Sequence, residues 1–227
     1  QHQWYTVQGG SIQYVNRLEA AMKAAGVDIR LNAAIEGVRR DAQGVEVKTH
    51  GGDWERFDEV VMATHSDDSL AMLTDPSAEE QAALGAILYQ PNDVVLHADT
   101  AMMPKRKSAW ASWVYTEDAK VKSDRIDLTY WMNSLQKIPE GDPLFVTLNT
   151  KRTIREELIY DRVTLRHPVY DLAAWDAQGK VHAMNGAQHT WFCGAWLRNG
   201  FHEDGLATAN EVADAINARA KTPLAAE

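Results

Sequence analysis

The segment from Thr190 to Ile216 constrains the fold of this chain more than any other. An apolar run, Trp191-Phe-Cys193, ends at Gly194, and a loop closed by Gly200 and Gly205 leads into a helix whose Leu206, Ala209, Ala213 and Ile216 share one face. Strand, glycine turn, helix start is a unit that leaves backbone N–H groups unpaired beside glycines that permit close approach. Such a place suits an anion or an electron-rich ring edge. The chain nowhere contains the strand-then-G-x-G-x-x-G turn that grips a dinucleotide pyrophosphate, so the segment reads as half of a cofactor site.

The remaining elements fix the fold class. Ser11 after Gly9-Gly10 predicts a helix start, with Ile12, Val15, Leu18 and Met22 on one face and Gly26 as its stop. Strands are expected over 27–31, 34–38, 45–49 and 57–64, the last as a continuous apolar run covered on both faces. Ser77-Ala-Glu-Glu80 predicts a capping box opening a helix to about Leu88. Strands over 94–97, 109–115, 128–132 and 144–148, with no helical pattern between them, predict an antiparallel sheet, followed by another strand and a loop at His167-Pro168. The expected class is α/β plus α+β: residues 1–66 and 189–227 form one discontinuous domain, interrupted over 67–188 by a mostly antiparallel one.

Composition narrows the partners. A net charge of −9 excludes nucleic acid, which demands a basic face. The single cysteine, Cys193, sits in an apolar strand and implies a reducing compartment, and no run of about 20 apolar residues or export signal occurs, so a cytoplasmic protein is expected. Lys105-Arg106-Lys107 is the one candidate for peripheral membrane contact, although a solvated loop explains it better. The chain opens at Gln1 in sequence that already looks structured, and a piece of a longer protein is expected.

Gly9-Gly10-Ser11 entering a helix, the 27–38 strand pair, the strand Phe57–Ala63 and the closing segment Cys193–Leu206 together resemble the flavin-containing amine oxidase superfamily of FAD-dependent oxidoreductases, within a bacterial branch of NAD/FAD-binding proteins. That resemblance implies a partial Rossmann-like FAD-binding domain carrying a substrate-binding domain. It implies hydride transfer from a substrate C–H to flavin N5, with noncovalent FAD because Cys193 lies outside the covalent-flavin motif. Ala34 falls where the family holds adenine through backbone groups. Gly194 and Ala195 fall at the ribityl and pyrophosphate, and Gly205 and Leu206 at the pyrimidine edge, with His65 and His202 as flavin neighbours. The principal pyrophosphate anchor is missing, so weak flavin binding by this chain alone is expected. Many members carry an acid where Ala195 stands, and the stretch 94–99 lacks the lysine often placed near N5, which argues against an amine and for an apolar or lipid-like substrate.

Trp113, Tyr130 and His97 are the candidate substrate contacts, drawn from a middle region that also holds Trp110, Tyr115 and Trp131. Aromatics on strands are more often core, and alternation lets only one face of each strand line a pocket. No side chain is assigned as catalytic acid or base. His202-Glu-Asp204 reads as an acid-rich helix start and His65-Ser-Asp67 as a strand end with a cap, so no metal is expected. The alternatives are a noncatalytic binding module that keeps the fold without flavin and, last, a hydrolase or metal enzyme built on His65 or His202.

Overall fold

The computed structural model describes residues 5–117 and 125–221. Gly9 and Gly10, both at positive φ, lead into α1 (Ser11–Ala24), with Gly10 rather than Ser11 at the N-cap. Gly26 ends the helix at φ 82°: its N–H donates to the Lys23 carbonyl and that of Val27 to Met22, both at 3.0 Å. These two bonds are the Schellman pairing that a left-handed glycine permits. The strand expected over 27–31 does not form. Among the described residues no strand runs beside it to accept its ladder, and Val27 and Leu31 stay exposed.

An antiparallel meander follows: β1 (Ile35–Asp41), β2 (Gly44–Thr49) and β3 (Trp54–Phe57). Gly44 begins β2 at φ 142°, where a Cβ would lie 2.5 Å from the Phe57 carbonyl, so no other residue fits. Then come β4 (Val60–Met62), α2 (Ser66–Met72), α3 (Ala78–Gly85) and β5 (Leu88–His97). The capping box is present: Glu80 N–H donates to Ser77 Oγ at 3.1 Å, and Ser77 N–H to Glu80 Oε2 at 2.8 Å. The middle region holds β6 (Trp113–Thr116), β7 (Asp127–Trp131), the short α4 (Met132–Gln136), β8 (Phe145–Leu148) and β9 (Ile159–Val169). Last are α5 (Leu172–Met184), β10 (Thr190–Phe192) and α6 (His202–Lys221).

Three expectations are corrected here. Residues 109–112 are not strand, because Lys107–Ala109 make a 3-10 turn and the Trp110 indole N–H folds back to the Pro104 carbonyl at 2.8 Å. β9 runs through His167-Pro168 rather than stopping there. Helix α5 was not expected at all. Its cap is Asp171, whose carboxylate accepts the Ala174 N–H at 2.8 Å.

The chain divides into two compact units. One combines residues 1–29 with 91–167, and the other 30–90 with 168–227. This division by packing cuts the chain elsewhere than at 66 and 189. In the first unit the antiparallel sheet has the order β6-β7-β8-β5-β9. Its middle is packed by Phe145, fully buried, and by the Trp110 ring set edge-on to Trp131 at 5.2 Å and to Phe145 at 5.8 Å. The fold is thus mixed α/β, with an antiparallel middle as expected.

The second unit is built around a parallel pair, β4 beside β10 in the register Val60 to Thr190 and Met62 to Phe192. Among the described residues this is the only parallel ladder between named strands. Met62, Leu84, Ile87, Val181 and Phe192 cluster around it with Ala174 and Ala177 of α5. Each large apolar side chain buried there contributes about 2–3 kcal/mol. A buried ion pair ties the meander to α3: the Arg40 side chain, fully enclosed, meets Glu80 at 2.5 and 2.9 Å and Asp75 at 3.1 Å. No helix among the described residues is long and apolar enough to cross a membrane.

Candidate functional site

Parallel strands present their carboxyl ends on one edge, where α/β sheets place ligands. Here β4 leaves through Thr64 to His65, and β10 leaves through Gly194 to Ala195. The indole N–H of Trp196 donates to the Thr64 carbonyl at 3.0 Å, so the two exits are fastened together. Gly194 stands at φ 149°, and a Cβ on it would strike the Trp196 ring at 2.7 Å. Beyond it Ala195–Leu197 form one 3-10 turn. Gln178 of α5 holds this turn from beneath, donating to the Trp196 carbonyl at 2.8 Å and the Arg198 carbonyl at 2.7 Å.

Thr208, 1% exposed on the inner face of α6, completes the frame. Its hydroxyl accepts the Gly194 N–H at 3.0 Å and lies 3.2 Å from the Gly194 carbonyl and 3.1 Å from that of Gly205. It therefore locks the strand exit to the helix start. A Cβ placed on Gly205 would lie 3.6 Å from the Ala195 nitrogen, which measures how closely the two turns approach.

Helix α6 begins at His202, one turn before Gly205. The Gly205 N–H is therefore used inside the helix, donating to the Phe201 carbonyl at 3.2 Å, and Leu206 is an exposed side chain of the second turn. The donors left at this edge, without an acceptor among the described residues, include the N–H groups of Ala195, Trp196, His202 and Glu203. Asp204 spends its carboxylate on the Phe201 N–H at 2.9 Å, and Glu203 adds a second acid to the first turn. A doubly charged pyrophosphate would face those acids. A neutral or partly negative ring edge with acceptor atoms suits this donor set better.

His65 lies at the same edge, half-buried, stacked on Tyr89 at 4.3 Å between ring centres. Its Nδ1 is shut off from solvent without a hydrogen bond and lies 3.8 Å from Asp68 Oδ2. Tyr89 is itself fixed, accepting the Ser66 N–H at 2.8 Å, and burial pushes its phenol up. His65, Asp67 and Asp68 place donor atoms within 4.8 Å of one another, the one such group of metal-ligating type among the described residues. Cys193 is buried and burial pushes its thiol up, which makes it an inert core residue. Ala34 is exposed at the head of β1, its carbonyl taken by the His50 N–H at 2.8 Å. No described interaction links it to the 194–206 loops.

The candidate substrate contacts separate. Trp113 and Tyr130 are direct cross-strand partners in β6 and β7, so their rings share a face. Trp113 is 50% exposed and lines a cavity of about 860 Å³, while burial pushes the half-buried Tyr130 up. His97 belongs to the core instead. It is fully buried against Phe145, and its Nδ1 accepts the Asp99 N–H at 3.0 Å. Its Nε2 therefore carries the proton and donates to Thr147 Oγ1 at 2.7 Å, which in turn meets Thr129 Oγ1 at 2.9 Å. Burial pushes this imidazole down to about 4 even though Asp99 opposes the shift. No atom of His97 is left for a ligand.

Thr208 and Gln178 escaped sequence reasoning. A threonine three residues after Gly205 on an apolar helix face was the available signal for the first, and the second needed α5 to be seen.

Comparisons with known proteins bear on the family and the fold. The family model for flavin-containing amine oxidoreductases matches residues 1–134. Among curated proteins none matches. A protein assigned as a protoporphyrinogen oxidase, from Exiguobacterium sp. 255-15, superposes with a TM-score of 0.65 at 14% identity, over 92% of this chain and 51% of its own. A putrescine oxidase superposes at 0.60 and 14% identity, over 92% and 53%. A fatty acid isomerase from P. acnes that produces CLA gives 0.57 and 14%, over 88% and 51%. The likeness at such identity is one of fold, and the chain spans about half the length of these proteins. Because the family model covers more than half of its residues, the chain belongs to the flavin-containing amine oxidoreductase family.

Proposed function

We propose that this chain forms part of an FAD-dependent oxidoreductase, with the 194–205 edge as the seat of the flavin ring. In this reading residues 1–66 and 189–227 serve the cofactor and 67–188 serve the substrate, a division by role rather than by packing. The single observation that carries the reading is the set of unpaired N–H groups at Ala195, Trp196, His202 and Glu203, framed by Thr208 at the carboxyl edge of two parallel strands. When bound, flavin supplies the hydride-accepting centre and most of the chemistry.

The chain supplies orientation and charge stabilisation. The N–H groups of Ala195 and Trp196 would hold acceptor atoms of the ring edge, and the start of α6 would favour negative charge there by roughly 0.3–1 kcal/mol. His65, stacked on Tyr89, walls the same edge, and His202 borders it. The buried Cys193 fits noncovalent attachment. Ala34, with its N–H still available, is kept as the adenine contact. On the substrate side Trp113 and Tyr130 are retained, His97 is withdrawn, and a largely apolar organic substrate is inferred. A binding module without flavin is the competing reading.

The test is the visible absorbance of the protein purified with flavin, followed by its bleaching under candidate substrates without air. A yellow protein that bleaches supports the reading. A full-length protein that takes up no flavin overturns it.

A further inference from the structure

We propose that the cavity beside Trp113 selects ligands with an apolar body and a carboxylate end, held by Lys137. The inference rests on the proposed function only in naming that ligand as the substrate. The cavity lies wholly within the first unit, and about 860 Å³ is ample for a small organic molecule. Its walls are residues 5–9, which end in the turn at Gln8 and Gly9, the start of β6 and the end of α4. Tyr5 and Trp113 offer aromatic surface, and Ser112 and Ser134, joined at 2.9 Å between hydroxyls, offer neutral polarity.

The charges in this lining are lopsided. Of all the described residues that line the cavity, one carries a formal charge, Lys137, and none is a carboxylate. A protonated amine would meet a like charge in this lining, whereas a carboxylate would meet a charge of opposite sign. Lys137 makes no ion pair among the described residues.

The position of Lys137 is built rather than incidental. It caps α4 in the left-handed conformation, φ 51° and ψ 40°, which a non-glycine residue adopts only when its surroundings impose it. Asn133, 5% exposed, braces the loop that follows: its amide donates to the Pro139 and Asp142 carbonyls at 2.8 Å and its oxygen accepts the Leu144 N–H at 2.8 Å. The loop that follows Lys137 is thereby pinned to the helix that precedes it. Gln136, one residue earlier, reaches the Gly9-Gly10 side of the cavity, its Oε1 3.6 Å from where a Gly10 Cβ would lie.

The test is calorimetric titration of the protein with decanoate, decylamine and decanol, all below their micellar range. Wild type is expected to bind decanoate about five-fold tighter than decylamine, the scale of a half-exposed ion pair. Asparagine and aspartate tolerate the left-handed backbone, so Lys137→Asn should erase the preference and Lys137→Asp should reverse it, while Lys137→Arg keeps it. Equal binding of decanoate and decylamine by wild type, no binding of either, or a preference that survives Lys137→Asn would overturn the proposal. Flavin absorbance is read on the same samples. A full-length protein that stays colourless yet prefers decanoate overturns the flavin reading and upholds the carboxylate site, and a yellow protein without the preference does the reverse.

Discussion

Replacing Thr208 with valine should loosen the 194–205 edge at one defined bond. Valine has the same shape, so no cavity opens, and the Gly194 carbonyl keeps the Leu197 N–H at 3.1 Å. What is lost is the acceptor of the Gly194 N–H, at 3.0 Å from a hydroxyl that is 1% exposed. A buried N–H without a partner costs about 1–3 kcal/mol. For a chain of this size, each kcal/mol corresponds to a fall of roughly 2–4 °C in Tm. Urea unfolding followed by the fluorescence of Trp191 and Trp196, both buried in the second unit, measures it. Thr208→Ser keeps the hydroxyl and loses one methyl, about 1 kcal/mol, so stability should fall in the order wild type, serine, valine. The valine variant should also release flavin faster. If valine proves as stable as wild type, or more stable than serine, the hydroxyl does not hold Gly194 and the frame described for the site is wrong.

Three other outcomes follow from the same geometry. His97 titrates at about 4 when folded and near 6.5 when unfolded, so the unfolded chain binds the extra proton between those values. Stability is complete above pH 6.5 and falls by about 3 kcal/mol as pH drops to 4; an NMR titration of this imidazole with a midpoint near 6.5 would refute the buried neutral ring. Arg40→Ala leaves Glu80 charged and enclosed, and should cost about 3–5 kcal/mol in the same urea assay, while a loss under 1 kcal/mol would show the pair to be solvated. Gly194→Ala forces a Cβ against the Trp196 ring at 2.7 Å in a backbone region that side chains avoid; expected are a loss of about 2 kcal/mol or more and of flavin retention, and an unchanged melting curve contradicts the close approach.

Local chemistry made parts of this fold legible. The Ser77-Glu80 box and the Gly26 stop each involve groups within five residues, and both stand as read. Where the outcome depended on a distant partner, the pattern misled. Val27–Leu31 alternates like a strand, yet no neighbouring strand receives it among the described residues. Helix α5 hid because its buried face is mostly alanine, Ala174 and Ala177 with Val181, while its bulky Leu172 and Trp175 are the exposed ones. His97 shows the same limit at the site: a histidine on a strand among aromatics fits a pocket or a core equally, and Thr147, fifty residues away, decides between them. The glycines of the 194–205 edge are legible in the sequence, whereas the threonine that fastens them is not.

The ladder between β4 and β10 joins residues roughly 130 positions apart in the chain. Closing so wide a loop has to await synthesis of everything between the two strands, α2, α3, the antiparallel sheet and α5 included. During translation the meander and α3 can pair locally while Met62 and Leu84 still lack Phe192 above them. The nascent second unit therefore exposes an apolar seam until its last strand emerges, and this is the interval in which a chaperone would have most to hold.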